Sequence, residues 1–184
     1  MPATNGTGDD AERTLLAGEW LQIRPIRRTD AAAHRAFIGR LSPEDLRFRF
    51  FTAVHELPDE EITRLTSVDH VSETAIIAVR EASEETVGVA RLACLPGRPE
   101  GEFAIVVQED MKRKGVGTLL MHHLIGWARR RELTRITGEV LAENVEMLRF
   151  ASHLGFALHR EPEAPNVVEA RLALDAPPRP GTAG

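Results

Sequence analysis

The chain of 184 residues, 42% hydrophobic and 28% charged, is long enough for one folded domain and too apolar for global disorder. Its net charge of −5 argues against a general nucleic-acid binder, and its single cysteine excludes an intramolecular disulfide or a thiolate metal cluster. It contains no apolar run near the roughly 18 residues of a membrane span and begins with a polar, acidic segment instead of a secretory signal, so we expect a cytoplasmic protein with no membrane association.

The two ends of the chain differ in composition from the middle. Residues 1–17 and 175–184 are rich in glycine, proline, alanine and acidic side chains, which is typical of flexible tails. We therefore expect one folded domain over residues 18–174, without internal repeats.

The first third of this domain predicts one strand followed by helices. Roughly alternating apolar and polar residues over 20–26 indicate a half-buried strand. Asp30 is a candidate cap of a helix that ends near residue 39, and Ser42 marks the start of a second helix. A third short helix is expected to begin with the acidic residues 59–61, whose alternative role is the attraction of a basic substrate loop.

The middle of the domain predicts three strands and a helix. The strands cover residues 74–79, 86–95 and 103–107 and are separated by turns rich in acidic residues, glycine and proline. The third strand, FAIVV, is continuously apolar, which is typical of an interior strand. From Val116 to about residue 131, apolar residues recur at helical spacing, so a helix follows.

The last third predicts alternating elements again. A strand over residues 135–141 precedes a helix over 144–154, which Gly155 closes. Two final strands are expected over 156–161 and 167–174. This order predicts an α/β fold with a mixed sheet and helices on both sides.

The junction over residues 108–118 joins the apolar strand to the strong helix and contains two glycines. Gly115 and Gly117 allow a close backbone approach to a ligand, and the first N–H groups of the helix lack internal partners. Such a junction favours an anion, and it carries the basic residues Lys112, Arg113 and Lys114. The full Walker and Rossmann patterns are absent, so a solvent-exposed turn with a basic rim is the alternative.

Residues 102–156 resemble the acetyl-CoA-binding core of the GNAT superfamily of N-acetyltransferases. In that family a strand ending in valine, here Val107, is followed by a loop of the form [QR]-x-x-G-x-[GA], here residues 112–117. Asn144 and the Leu-Gly-Phe segment that ends at residue 156 are similar to a later element of the family. The resemblance implies the GNAT fold, a mixed, mostly antiparallel sheet with helices on both faces.

The resemblance also implies how acetyl-CoA is held, and it implies no metal. The strand end pairs with the pantetheine amides, and the N–H of Val107 donates to the thioester oxygen. The loop holds the pyrophosphate, and Asn144 bonds the pantetheine arm, caps its helix, or does both. The residues assigned to acetyl-CoA are Ile105, Val106, Val107, Lys112, Arg113, Lys114, Gly115, Val116, Gly117, Thr118 and Asn144.

A narrower resemblance concerns the acceptor. The segment LSPEDLRFRFF over residues 41–51, together with residues 68–70 and 138–144, is similar to bacterial protein lysine acetyltransferases that modify acyl-CoA synthetases. This implies a protein lysine as acceptor and an acyl-CoA synthetase as partner. The alternative for residues 41–51 is an ordinary amphipathic helix that packs its phenylalanines. The alternatives for the function are a small-molecule amine N-acetyltransferase and a non-catalytic acyl-CoA-binding module.

Transfer to a lysine requires the removal of a proton. With a reference pKa of about 10.4, the neutral amine costs about 4.6 kcal/mol at pH 7, and a general base takes the proton directly or through water. The resemblance assigns this role to Glu102, at the head of the FAIVV strand. The alternative is a solvent-facing glutamate at the end of a turn.

Two positions depart from the family pattern. Lys112 stands where the loop usually has Gln or Arg, which keeps a hydrogen-bond donor, and the second departure concerns a tyrosine. Many members carry a tyrosine four residues before the glycine of Leu-Gly-Phe, as the acid for the leaving thiolate; here that position is Ala151, and the chain has no tyrosine. We expect His70 to be a surface or capping residue, and Cys94 a small core residue. His122 and His123 are adjacent on a helix, so their side chains diverge and predict no metal site.

Overall fold

The computed structural model describes residues 11–54 and 56–174. Residues 1–10 of the predicted N-terminal tail and the predicted tail over 175–184 lie outside the described residues. The strands are β1 (Glu12–Leu16), β2 (Glu19–Pro25), β3 (Glu73–Arg80), β4 (Thr86–Cys94), β5 (Glu100–Val107), β6 (Arg135–Leu141), β7 (Ala157–Arg160) and β8 (Val167–Ala173). The α-helices are α1 (Ala31–Gly39), α2 (Pro43–Phe50), α3 (Asp59–Thr66), α4 (Val116–Arg130) and α5 (Val145–His153). No helix within these ranges is long and apolar enough to cross a membrane.

The strands form one sheet in the order β1-β2-β3-β4-β5-β6-β8-β7. The β5–β6 pair is parallel, whereas the other neighbouring pairs of the described sheet are antiparallel. The parallel pairing is short: it joins residues 100–102 to residues 135–137. Because β5 continues to Val107 and β6 to Leu141, the two strands separate beyond this pairing and leave a cleft between them.

Apolar side chains on the two faces of the sheet form separate cores. On one face α4 and α5 pack through residues that include Leu120, Leu124 and Ala151. On the other face α1, α2 and α3 pack through residues that include Phe37 and Ile62. The prediction of a mixed, mostly antiparallel sheet covered by helices on both faces is confirmed.

The helix boundaries follow local capping chemistry. At α2 the hydroxyl of Ser42 accepts from the backbone N–H of Asp45 at 3.0 Å. At α5 the side-chain oxygen of Asn144 accepts from the N–H of Met147 at 3.1 Å. Just after α5, Gly155 has φ of +91°, the left-handed conformation that commonly ends a helix. These are the caps that the sequence predicts.

The prediction of a flexible tail over residues 1–17 is wrong for Glu12–Leu16, because these residues form β1 and pair with β2. The turn between the strands uses Ala17 and Gly18, with φ of 51° and 82°, which is typical of a two-residue hairpin. Most of β1 is exposed. Backbone pairing with β2 orders this strand, and the packing of Leu16 against the core and the ion pair of Arg13 with Glu81 add to it. Composition does not reveal such partners.

Candidate active site

A cavity of about 1020 Å³ occupies the cleft between β5 and β6. Its walls come from β5, α2, the loop before α4, and the β6–α5 region. Most of the predicted site residues line it: Glu102, Ile105, Val106, Val107, Lys112, Arg113, Gly115, Gly117, Thr118 and Asn144. Lys114 is exposed and Val116 is buried in the core, and neither lies in the lining.

The backbone of β5 faces the cleft at alternate residues. The N–H of Gln108 bonds the carbonyl of Val87 at 2.8 Å, which sets the phase of the antiparallel β4–β5 ladder. In that phase Val106 bonds to β4 through its backbone, so it offers the cavity only its side chain. Ile105 and Val107 direct their N–H and carbonyl groups towards the cleft. The predicted contact of Val106 with acetyl-CoA is therefore available only to its side chain, which lines the cavity.

The junction between β5 and α4 leaves backbone N–H groups at the start of the helix. The first helical hydrogen bond runs from Leu119 to the carbonyl of Gly115 at 3.0 Å, so the preceding N–H groups of the first turn have no helical acceptor. Gly115 has φ of +92°, which favours glycine. A Cβ on Gly117 would lie 3.2 Å from the ring of Phe150. Val116 is fully buried and does not line the cavity, so the predicted contact of this residue with acetyl-CoA has no support in the structure.

The sequence predicts that three basic side chains of this loop are available to bind an anion. In the structure one of them, Lys112, is already bound by carboxylates of the protein. The ammonium of Lys112 lies 2.7 Å from carboxylate oxygens of both Asp45 and Glu109. Burial lowers the pKa of Lys112, but the hydrogen bonds and charges of these two carboxylates outweigh it and raise the pKa above its usual value. Lys112 is therefore engaged by the protein, whereas Arg113 and Lys114 are exposed.

Acidic side chains outside this loop also line the cavity. Glu102 is exposed and, because it is four residues from Val106 in β5, its side chain lies on the same side of the strand. Glu139 and Glu143 line the same cavity, and Glu143 is ion-paired with Arg47 of α2. Sequence reasoning assigned no role to Glu139 or Glu143. Strand alternation in β6, with buried residues on either side of Glu139, was a signal for its exposed position.

Comparison with known proteins identifies the family. A model described as the acetyltransferase (GNAT) family matches residues 41–156. The chain belongs to this family. Acetyltransferase PA5475 of Pseudomonas aeruginosa is 33% identical to this GNAT protein over 169 residues, which are 91% of this chain and 91% of that one.

Solved structures share the GNAT fold. The GNAT domain of S. lividans PAT is 26% identical and has a TM-score of 0.81, with 89% of this chain and 97% of that chain covered. The structure of yncA from Salmonella typhimurium, with its cofactor acetyl-CoA, has a TM-score of 0.70 at 18% identity and covers 88% of this chain and 98% of that chain. At 18% identity, the likeness to yncA shows a shared fold and no more.

Family membership makes acetyl transfer from acetyl-CoA the activity of this protein, and the cavity fits that molecule. The unpaired edge of β5 offers peptide groups to the amides of pantetheine, and the start of α4 offers N–H groups to a pyrophosphate. Between them, Met147 and Phe150 supply apolar wall. The described residues contain no group of three or more histidine, cysteine or acidic side chains that could hold a metal.

Asn144 caps α5 and also lines the cavity of the GNAT enzyme. The cap uses only the side-chain oxygen, so the two donors of the amide nitrogen are not consumed by it. Ala151, at the position of the family tyrosine, is 1% exposed and packs in the core. This position therefore supplies no proton donor to a leaving thiolate.

The residues that the sequence analysis set aside lie outside the cavity lining. The ring of His70 bridges the hydroxyl of Thr74 and the carbonyl of Ile26, both at 3.0 Å, so it ties β3 to the end of β2. Cys94 is partly buried at the end of β4, and burial raises the pKa of its thiol. Neither residue belongs to the site of the GNAT enzyme.

Proposed function

We propose that this GNAT enzyme transfers the acetyl group of acetyl-CoA to the ε-amine of a protein lysine, and that the acceptor protein is an acyl-CoA synthetase. The observation that carries the proposal is the position of α2, whose LSPEDLRFRFF segment forms one wall of the cavity beside Glu102. This segment is the one that resembles protein lysine acetyltransferases. The likeness to the GNAT domain of S. lividans PAT supports the same interpretation.

Acetyl-CoA supplies an activated thioester when it is bound. The chain holds it through the outward peptide groups of Ile105 and Val107, the start of α4, and the amide of Asn144. The N–H of Val107 is placed to donate to an oxygen on which negative charge develops, which is the role of an oxyanion donor. Arg113 and Lys114 add positive charge near the phosphates.

Glu102 is the proposed general base. Its carboxylate lies at the cavity edge, on the side of β5 that faces α2, where solvent reaches it. It accepts the proton of the acceptor ammonium, directly or through a water, and releases it to solvent after transfer. A thiol with an ordinary pKa of about 8.5 is a tolerable leaving group without a proton donor, so the absence of tyrosine is compatible with turnover.

A small-amine acetyltransferase is the second candidate. The observation that favours it is the acidic lining formed by Glu102, Glu139 and Glu143, which suits a cationic amine of any size.

The test measures acetyl-CoA turnover with an acyl-CoA synthetase as acceptor and with a panel of small amines that includes spermidine. We expect the synthetase to be acetylated on lysine with a higher kcat/KM than any small amine of the panel. Faster acetylation of a small amine than of the synthetase contradicts the proposed acceptor and supports the second candidate. Binding of acetyl-CoA without any turnover contradicts both and supports a non-catalytic binding module.

A further inference from the structure

Arg49 is an arginine of the cavity that the proposed chemistry does not use. It lies in the last turn of α2, is partly buried, and lines the cavity. Its guanidinium carbon is 4.8 Å from the ring centre of Phe50. Within residues 11–54 and 56–174 it forms no direct hydrogen bond or ion pair, although the charges of the more distant Glu61 and Glu73 act on it.

The neighbouring arginines are paired, in contrast to Arg49. Arg91 of β4 is ion-paired with Glu73, and Arg64 of α3 lies 2.6 Å from a carboxylate oxygen of Glu61. Burial, followed by the positive charges of Arg91 and Arg64, lowers the pKa of Arg49 to about 10, and the negative charges of Glu61 and Glu73 oppose this shift only in part. The group is still charged at neutral pH, and the two carboxylates that act on it, Glu61 and Glu73, are in direct contact with the other arginines. The charge of Arg49 therefore lies at the cavity without a carboxylate in direct contact among the described residues.

The position of Arg49 places this charge at the acceptor end. Asp45, one helical turn or about 6 Å earlier on the same face of α2, contacts the loop before α4 through Lys112. Arg91, whose charge acts on Arg49, is paired across the sheet with Ala104. Ala104 is two residues, or about 7 Å, from Glu102 along β5. Arg49 therefore lies away from the phosphate end and towards Glu102.

We propose that Arg49 binds a carboxylate carried by the amine acceptor. The guanidinium is a planar fork that matches a carboxylate, and a desolvated cation without a partner gains most from one. Glu102 and Glu139 provide negative charge in the same cavity. The site thus suits an acceptor that carries both an ammonium and a carboxylate. The inference rests on acetyl transfer to an amine, as in the proposed function, and it names a feature of the acceptor.

The carboxylate has two sources with the same chemistry. In a protein it is an aspartate or glutamate beside the target lysine, and in a small molecule it is the α-carboxylate of an amino acid. The probes are two matched pairs: blocked peptides with Glu or Gln directly before one lysine, and free L-lysine against L-lysinamide. The pair with the larger ratio of kcat/KM values identifies the source.

The experiment measures kcat/KM for both pairs at saturating acetyl-CoA. We expect the wild-type enzyme to favour the carboxylate member of one pair by about 10- to 100-fold, mainly through KM, as for the loss of a hydrogen bond to a charged group. In Arg49→Gln this ratio falls to near 1, while Arg49→Lys keeps part of it. Arg64→Gln, a change in the same cationic cluster but outside the cavity lining, keeps the wild-type ratio.

Three results overturn the inference. The first is an equal kcat/KM for both members of each pair in the wild-type enzyme. Absence of turnover with all four probes counts as the same result, because no preference for a carboxylate is then seen. The second is a weaker affinity of Arg49→Gln for acetyl-CoA, measured by calorimetry, since Arg49 would then serve the co-substrate. The third is a loss of the folded state of Arg49→Gln and Arg49→Lys alike. A failure to acetylate an acyl-CoA synthetase, with the carboxylate ratio intact, contradicts the proposed function alone.

Discussion

The ammonium of Lys112 lies 2.7 Å from a carboxylate oxygen of Asp45, so the loop before α4 is joined to α2 across the cavity. Asp45 is 8% exposed and also accepts a hydrogen bond from the hydroxyl of Ser42 at 2.9 Å. A second link between α2 and the opposite wall is the ion pair of Arg47 with Glu143. Through these contacts the wall assigned to the acceptor is held against the walls assigned to acetyl-CoA.

Removal of the Lys112 ammonium should destabilise the protein. In Lys112→Met the buried carboxylate of Asp45 loses its cation, and we expect the free energy of unfolding to fall by about 1–3 kcal/mol. The measurement is equilibrium denaturation in urea. Lys114→Met makes the same chemical change at an exposed neighbour and should stay within about 0.5 kcal/mol of wild type. Equal effects in the two variants would show that the link to Asp45 contributes nothing.

Gly117 should be essential for acetyl-CoA binding. In Gly117→Asp the new side chain starts 3.2 Å from the ring of Phe150 and brings negative charge to the start of α4, so calorimetry should detect no binding. The matched control is Gly126→Ala, in the middle of the same helix, where the nearest atom to a new Cβ is the end of the Arg130 side chain at 3.4 Å. Unchanged acetyl-CoA affinity in Gly117→Asp would remove the loop from the site.

Glu102→Gln should slow turnover without weakening acetyl-CoA binding. The substitution keeps the shape and removes the basicity, so kcat should fall by about 10²- to 10⁴-fold. The loss should shrink as pH rises, because more of the lysine is then already neutral. A pH–rate profile from about pH 6.5 to about 9.5, below the lysine reference pKa, measures this.

Glu139→Gln tests the nearest competing assignment for the base, because Glu139 lines the same cavity. A larger loss in this variant than in Glu102→Gln, with pH rescue, would place the base on β6. A parallel fall of turnover and acetyl-CoA affinity in Glu102→Gln would make that residue structural.

The acid stability of the protein should depend on His34. This residue of α1 is 4% exposed, its Nδ1 has no hydrogen-bond partner among the described residues, and burial, followed by the charges of Arg91 and Arg49, lowers its pKa to about 4. Because the fold favours the neutral ring, its stabilising effect is complete above the ordinary pKa of 6.5 and is lost as pH falls towards 4.

Between about pH 7 and 4 this amounts to about 3 kcal/mol of the free energy of unfolding. His34→Leu removes the titrating group, so its loss of stability over the same range should be smaller by that amount. The measurement is urea denaturation at several pH values. Curves that run parallel for wild type and variant would exclude His34 as the cause, since acidic groups elsewhere titrate equally in both proteins.

Local patterns were sufficient for most of the fold. The apolar spacing that starts at Val116 identified α4, Ser42 and Asn144 marked helix starts, and Gly155 marked a helix end. Each of these signals acts within one or two turns of chain. β1 was missed because it is mostly exposed, and the partners that order it, which include β2 and Glu81, are distant in the chain from most of its residues.

The sequence by itself determined the strand–loop–helix junction at Gly115 and Gly117 and the family to which the chain belongs, because these depend on residues close together in the chain. The tertiary structure decided what depends on distant partners. The ammonium of Lys112 is ion-paired with Asp45, which is 67 positions away in the chain. The phase of the β4–β5 ladder decides that Val106 faces β4 with its backbone. Charge and hydrogen bonding act through space, so no local pattern contains them.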